Sequence, residues 1–211
     1  MVNMNIALRY IIAIVVAYLF GSLNSAIIVS KITMKKDIRQ FGSGNAGTTN
    51  ALRVMGASKT VFVILGDILK NVIPMLLVKP IMGDNDIALA QVLAGIACVI
   101  GHAYPIFFGF KGGKGVLSTA TVAWCIDWRI SLIAILVFVG VVAISKYVSL
   151  GSIIAVCTAP FQFAAFYWGE PQFAGYVCFG LFVAIFVTVL HRANIKRLVT
   201  GNENKLSFKK K

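Results

Sequence analysis

The sequence predicts an all-α, polytopic integral membrane protein of about seven transmembrane helices, and three observations carry that prediction. Of its 211 residues, 59% are hydrophobic and only 13% charged. The apolar residues fall in continuous runs, not in the narrow stripes of helices that pack onto a soluble core. Those runs lack the period-2 alternation of a membrane barrel, which excludes sheet.

Spans are expected at roughly 6–29, 59–79, 86–106, 113–127, 129–145, 148–168 and 172–191, judged against about 20 apolar residues per crossing. The fourth is short and nearly fuses with the fifth, so the count ranges over about five to seven. The first run stays apolar to Val29 and has only Arg9 as a basic leader, so it reads as a helix rather than a cleaved signal peptide. The chain, 1–211, is expected to form a single membrane-embedded domain with a flexible basic tail at 203–211.

A net charge of +13 could suggest nucleic acid, but no basic helix or aromatic-studded sheet is present to bind one. What matters in a membrane chain is where the charges fall. With seven crossings, one side receives Lys31, Lys35, Lys36, Arg39, Arg53, Lys59, Lys111, Lys114, Lys146, Arg192, Lys196, Arg197, Lys205, Lys209, Lys210 and Lys211. The other receives Arg9, Lys79 and Arg129, with Asp84, Asp86, Asp127 and Glu170. The positive-inside rule then places the C-terminus in the cytoplasm and the N-terminus outside. Anionic membrane lipids account for the lysine tail and for Lys35 and Lys36. Cys98, Cys125, Cys157 and Cys178 lie in or beside apolar spans without a CxxC spacing, and read as packing residues.

Four polar islands interrupt the apolar runs, all on the cytoplasmic side of this scheme. The first, "FGSGNAGTTNALR" at 41–53, sets glycines, hydroxyls and amides close together, and such a loop can turn backbone N–H groups toward an anion. Arg53 follows, with a fork suited to phosphate. The second, "FFGFKGGKGVLST" at 107–119, is not a Walker A loop, because Phe108 and Gly115 stand at positions that pattern reserves for Gly and Ser/Thr. It places Gly112, Gly113 and Gly115 around Lys114 just before a helix, whose N-terminus favours negative charge. The third is "KYVSLGS" at 146–152, with Ser149, and the fourth "HRANIKRL" at 191–198, with His191 and Asn194 three apart. Taken singly, these have plainer explanations as turns and helix caps. Together they supply Arg, Lys, His, Ser, Thr, Asn and backbone amides with almost no acid, the inventory of a site for a phosphorylated anion.

Quoted in order, "GSGNAGTTNALR", "GHAYPIFFGFKGGKG", "KYVSLGS" and "HRANIKRLVTGNE" resemble the successive signatures of the bacterial acyl-phosphate:glycerol-3-phosphate acyltransferase family, the PlsY type, across about residues 15 to 203. The resemblance implies a multi-pass enzyme of the bacterial cytoplasmic (inner) membrane with its motifs on the cytoplasmic side. It implies transfer of an acyl chain from acyl phosphate to the 1-hydroxyl of glycerol 3-phosphate, giving lysophosphatidic acid for phospholipid biosynthesis. A functional link to an enzyme that produces acyl phosphate is implied as well. Carried over by position, the pattern implicates Lys114, Ser149, His191 and Asn194 in catalysis, and Ser43, Asn45, Thr49, Arg53, Gly112 and Gly113 in substrate binding. The chain departs from the family at Ala46, Thr48, Asn71 and Leu117-Ser118, and the change at Asn71 bears on Asp67 and Lys70 beside it.

The chemistry agrees with this set. No Ser/His/Asp or Cys/His constellation and no His-x4-Asp dyad is present, since Phe107 and Lys196 stand five residues after His102 and His191. An acyl phosphate is already activated, so the protein needs mainly to hold two anions close and stabilise charge. Lys114, the glycine amides and Ser43 are expected to hold one phosphate, and Arg53, Ser149, His191 and Asn194 the other or the attacking hydroxyl. The sequence leaves open which cluster takes which phosphate. No cofactor and no metal are expected. Asp67 and Lys70, three apart in an apolar helix, read as a structural pair, and His102 as a buried hydrogen-bonding residue. The rival reading is a transporter or channel for a small phosphorylated anion, against which stand the one-sided motifs and the lack of an inverted repeat.

Overall fold

Residues 5–83 and 86–206 are described by the structure, a computed structural model, so expectations for Asp84 and for Lys209 to Lys211 lie outside the described residues. The described residues form nine α-helices and no strand, and the chain divides into two compact units, Met1–Ile126 and Asp127–Lys211. The protein is an all-helical, multi-pass membrane protein: six stretches are long and apolar enough to cross a bilayer.

In the first unit, α1 (Ile6–Gly21) and α2 (Ser25–Met34) replace the single expected first span. The break comes where Asn24 caps α2 by accepting from the Ile27 N–H, and α2 ends with Lys35 in the left-handed region. Next, α3 (Thr48–Met82) begins eleven residues before the expected start at 59, with a non-helical residue at Gly56 (φ 78°, ψ 174°). The stretch at 31–58 is therefore not one loop. Its part at 48–55 is helical because Asn50, Ala51 and Met55, at i, i+1 and i+5, bury one face. After α4 (Ile87–Ala103) comes α5 (Val116–Ile126), only 11 residues or about 16 Å long, which falls short of a full crossing.

Small residues bring α1 and α4 together. Ala13, Ala17 and Gly21 form one buried stripe at spacing four, facing Ala90, Ala94, Ala97, Cys98 and Gly101. A Cβ on Gly21 would overlap the Cys98 carbonyl, and one on Gly101 would meet the Tyr18 carbonyl and the Ser22 amide. Between helices in lipid the attraction is close van der Waals contact, so small residues matter more here than hydrophobicity. Gly101→Ala should therefore wedge the pair apart and lower stability by about 1–3 kcal/mol, read as an earlier thermal unfolding transition in micelles.

The two helices run in parallel, and their ends define two ends of this unit. At one, Arg9 donates to the Ile81 carbonyl at 2.7 Å and Asp86 caps α4. At the other, the α1–α2 break, the start of α3 and the end of α4 gather under the two glycine-rich loops. A core of Ala26, Ile27, Ile38, Ala46, Ala51, Met55 and Val63 packs beneath the first loop, with Phe108 of the second against it.

The second unit contains α6 (Trp128–Ser145), α7 (Val148–Tyr167) and α8 (Phe173–Leu190), with the short α9 (Arg192–Val199) at the end. Asp127 caps α6, is paired to Arg129 at 2.6 Å and accepts from the Tyr167 hydroxyl at 3.1 Å, joining the start of α6 to the end of α7. Phe163, Tyr167, Tyr176 and Phe179 stack in tilted and edge contacts between α7 and α8. Gly180 lies against the backbone of Pro160, where a Cβ would collide. The opposite end of this unit carries Ser149, His191 and Asn194. Of the tail at 203–211, expected to be flexible, Glu203 and Leu206 are tied down: the Leu206 N–H donates to the Lys146 carbonyl at 2.7 Å.

Candidate active site

The first loop is organised by a residue that the sequence left unremarked. Asn50, buried at the start of α3, accepts from the Ser43 N–H at 2.9 Å through Oδ1 and donates from Nδ2 to the Phe41 carbonyl at 3.0 Å. Its amide thus closes the loop on itself, as asparagine does in many turns. Gly42 and Gly44 take positive φ there, and a Cβ on Gly42 would overlap Asn50 Oδ1. On this scaffold Ser43 is exposed and Asn45 half-buried, while Thr49 and Arg53 stand exposed one turn apart on α3. The Ala46 carbonyl accepts from Asn24 Nδ2 at 3.1 Å, fixing the loop to the α1–α2 break.

The second loop folds back on the end of α4. The Gly112 and Gly113 N–H groups donate to the carbonyls of Ala103 and His102 at 3.0 and 3.1 Å. Both glycines are required by closeness. A Cβ on Gly112 would overlap the His102 carbonyl, and one on Gly113 would overlap His102 Nε2 and approach the Ala46 carbonyl. Lys114, half-buried, follows at once, then Gly115 (φ 78°) and the first turn of α5. The glycines do surround a lysine at a helix start, but the Gly112 and Gly113 N–H groups, expected to hold phosphate, are taken by the Ala103 and His102 carbonyls, so these glycines shape the loop.

Arg39 joins the two loops. Its guanidinium donates to the Phe108 and Lys111 carbonyls at 2.7 and 2.9 Å and is held by Asp37 at 2.7 Å. The Arg39 hydrogen bonds hold the Asp37 carboxyl below the usual carboxylate range, against a smaller upward push from burial. A pocket of about 550 Å³ lies here, lined by Asp37, Arg39, Gln40, Gly44, Phe108, Gly109, Lys111 and Gly112. Arg39→Ala should release both carbonyls and lower stability by about 1–2 kcal/mol, with Arg39→Lys recovering only part because it lacks the fork. Thermal unfolding of the three proteins in one detergent checks this.

Beneath the second loop Asp67, Lys70 and His102 form a buried cluster, in which Lys70 Nζ lies 2.8 Å from both Asp67 Oδ1 and His102 Nδ1. Asn71 donates to the Asp67 carbonyl at 2.5 Å and to Ser118 Oγ at 3.2 Å. Two of the positions at which the sequence departs from its family pattern therefore meet.

In the second unit, Glu203 gathers the predicted residues. Its Oε1 accepts from Ser149 Oγ at 2.9 Å and Asn194 Nδ2 at 2.7 Å, and its Oε2 from Arg197 Nε at 2.7 Å. Burial pushes the Glu203 carboxyl up, but the bonds from Asn194, Arg197 and Ser149 together outweigh it and hold it below its ordinary value. His191, buried at the junction of α8 and α9, donates from Nδ1 to the Val187 carbonyl at 2.8 Å, which fixes the ring. Glu203 closes the quoted "HRANIKRLVTGNE", and the signal that could have singled it out is its rarity: it is one of seven acidic residues in the chain.

Comparison with known proteins places these features. Residues 11–201 match the family model for glycerol-3-phosphate acyltransferase. Among curated relatives of that name, one from Thermoanaerobacter pseudethanolicus is 42% identical over 94% of this chain and 96% of its own. Another, from Clostridioides difficile, is 42% identical over 95% and 97%. Among solved structures, PlsY, described as an integral membrane glycerol 3-phosphate acyltransferase, superposes in its glycerol 3-phosphate form with a TM-score of 0.84. It is 34% identical, covering 94% of this chain and 96% of that one. The lysophosphatidic acid form of PlsY gives a TM-score of 0.81.

Proposed function

The chain belongs to the glycerol-3-phosphate acyltransferase family, and from that premise we propose that it moves an acyl chain from acyl phosphate to the 1-hydroxyl of glycerol 3-phosphate. The products are lysophosphatidic acid and phosphate. The observation that carries the donor assignment is the character of the polar groups. The first unit offers the Ser43 hydroxyl and the cations Lys114 and Arg53, the second His191 with the Ser149 and Asn194 donors that Glu203 gathers, and neither serine is hydrogen-bonded to a histidine.

In the reaction the 1-oxygen of glycerol 3-phosphate attacks the acyl carbonyl, a C–O ester bond forms, and the C–O bond to phosphate breaks. The hydroxyl proton passes to the departing phosphate, so no protein base is consumed. An acyl phosphate needs positioning and charge stabilisation more than it needs an acyl-enzyme. Lys114 with Ser43 holds one phosphate, Gly112 and Gly113 shape the loop that carries the lysine, and Thr49, Arg53 and Asn45 extend that binding set. In the second unit Ser149, His191 and Asn194 steady the second phosphate or the attacking hydroxyl. The basic loops face the cytoplasm of a bacterial inner membrane, and an enzyme that makes acyl phosphate supplies the donor.

Purified protein in micelles, given synthetic acyl phosphate and glycerol 3-phosphate, should release lysophosphatidic acid and phosphate in equal amounts. A well-folded preparation that forms no product from acyl phosphate yet acylates from a thioester donor would overturn the donor assignment.

A further inference from the structure

An ion pair in the apolar part of a membrane helix bundle is costly to bury, and such groups are retained where they shape a site. Asp67, Lys70 and Asn71 lie on one face of α3, at i, i+3 and i+4, and all are at least nine-tenths buried. They touch both stems of the second glycine loop. On the α4 side, Lys70 Nζ meets His102 Nδ1; on the α5 side, Asn71 Nδ2 meets Ser118 Oγ.

The contact with His102 fixes its ring. Lys70 sits 2.8 Å from the Asp67 carboxylate, so it is an ammonium and can only donate, and Nδ1 must accept. The proton of the imidazole is therefore on Nε2, the atom that occupies the space where Gly113 would carry a Cβ. The same residue holds the loop through its backbone, since the His102 carbonyl accepts from the Gly113 N–H. One histidine thus meets Gly113 with both its carbonyl and its ring, directly before Lys114.

From this we infer that Lys70 and His102 are positioning residues: the Asp67–Lys70–His102 chain, with Asn71 on the other stem, sets the backbone of the glycine loop so that it and Lys114 present phosphate-binding geometry. Neither residue is placed to touch the reacting atoms. Their effect is expected in the binding of a phosphate-bearing substrate, and only this kinetic arm rests on the proposed function.

Three variants of the full-length protein in micelles test it: His102→Leu, which removes the acceptor of Lys70; His102→Asn, whose Oδ1 takes the place of Nδ1; and Asn71→Ala, which leaves the ion pair in place. Hydrogen exchange of the 108–118 segment needs no activity, and in His102→Leu it should rise about tenfold while exchange at 150–165 stays at the wild-type rate. His102→Asn should restore protection, and Asn71→Ala should raise exchange chiefly at 114–118. In the kinetic arm, His102→Leu should raise KM for one phosphate substrate about tenfold or more with kcat much less affected, and His102→Asn should recover it. Unchanged exchange in His102→Leu, or a rise spread evenly over the whole chain, overturns the inference. Slowed turnover at unchanged KM also overturns it. Should wild type make no product, the functional reading fails while the exchange experiment still decides the positioning role.

Discussion

Replacing Lys114 with alanine lowers acyl transfer by about 10²–10³-fold, the scale expected when one preorganised charge at a developing anion is removed. The lysine stands between Gly113, whose N–H is fixed to the His102 carbonyl, and Gly115 with its positive φ, so its backbone is held on both sides. The loop keeps the glycine N–H bonds and the two Arg39 bonds after the change, so the variant is expected to fold. Arginine restores the charge but brings a broader, planar head, so Lys114→Arg should recover only part of the rate. Lysophosphatidic acid release, normalised to protein that elutes as wild type and unfolds at the wild-type temperature, is the measurement. A Lys114→Ala protein retaining more than about a third of wild-type turnover would remove this residue from catalysis.

Glu203→Ala should disable the protein by another route. Ser149, Asn194 and Arg197 all donate to its carboxylate, so its removal leaves the start of α7, α9 and the tail without their shared acceptor. Bonds to a charged acceptor are stronger than neutral ones, but Arg197 is partly open to solvent, and the expected loss is about 2–4 kcal/mol. Glu203→Gln keeps one acceptor oxygen and should fall between. The pH dependence follows from the same contacts. Because the folded carboxyl titrates below its ordinary value of 4.5, its contribution is fully present above that value and is lost as pH falls through the lower, folded one. Wild type should therefore lose stability in mild acid below about pH 4.5, and Glu203→Gln should be flatter over that window. Thermal unfolding between neutral and acid pH, compared for the two proteins, tests the slope.

The membrane class was legible because continuous apolar runs carry their meaning locally, and α6, α7 and α8 lie close to their expected spans. The elements that differ are those whose limits depend on distant contacts. The helical stretch at 48–55 is polar in composition and reads as loop, and only the burial of Asn50, Ala51 and Met55 makes it a helix. The break after Gly21 falls at Ser22, Asn24 and Ser25, which a reading by average hydropathy passes over, whereas the shortness of α5 was already visible in the sequence.

The candidate donors were legible as residue types at particular spacings. What organises them was not: Asn50 acts across seven residues on Ser43, Lys70 across 32 on His102, and Glu203 across 54 on Ser149. No local pattern announces bonds of that span. Asp67 and Lys70 were recognisable as a pair from their helical spacing, but their attachment to the glycine loop required the fold.

The glycine at 56 has a consequence for how this protein lives in membranes of different thickness. A long apolar helix adapts to a thinner or thicker bilayer by tilting, and an unbroken α3 would carry that tilt into Thr49 and Arg53. At Gly56 the backbone leaves helical geometry, and nothing lies within 4 Å of where its Cβ would be, so no neighbouring side chain packs on that side of the joint. The segment at 57–82 can follow the lipid while the segment at 48–55 stays with Asn50 and its loop. If Thr49 and Arg53 bind substrate as proposed, KM should then vary little between lipids of different chain length, a measurement that reconstitution in thin and thick bilayers supplies.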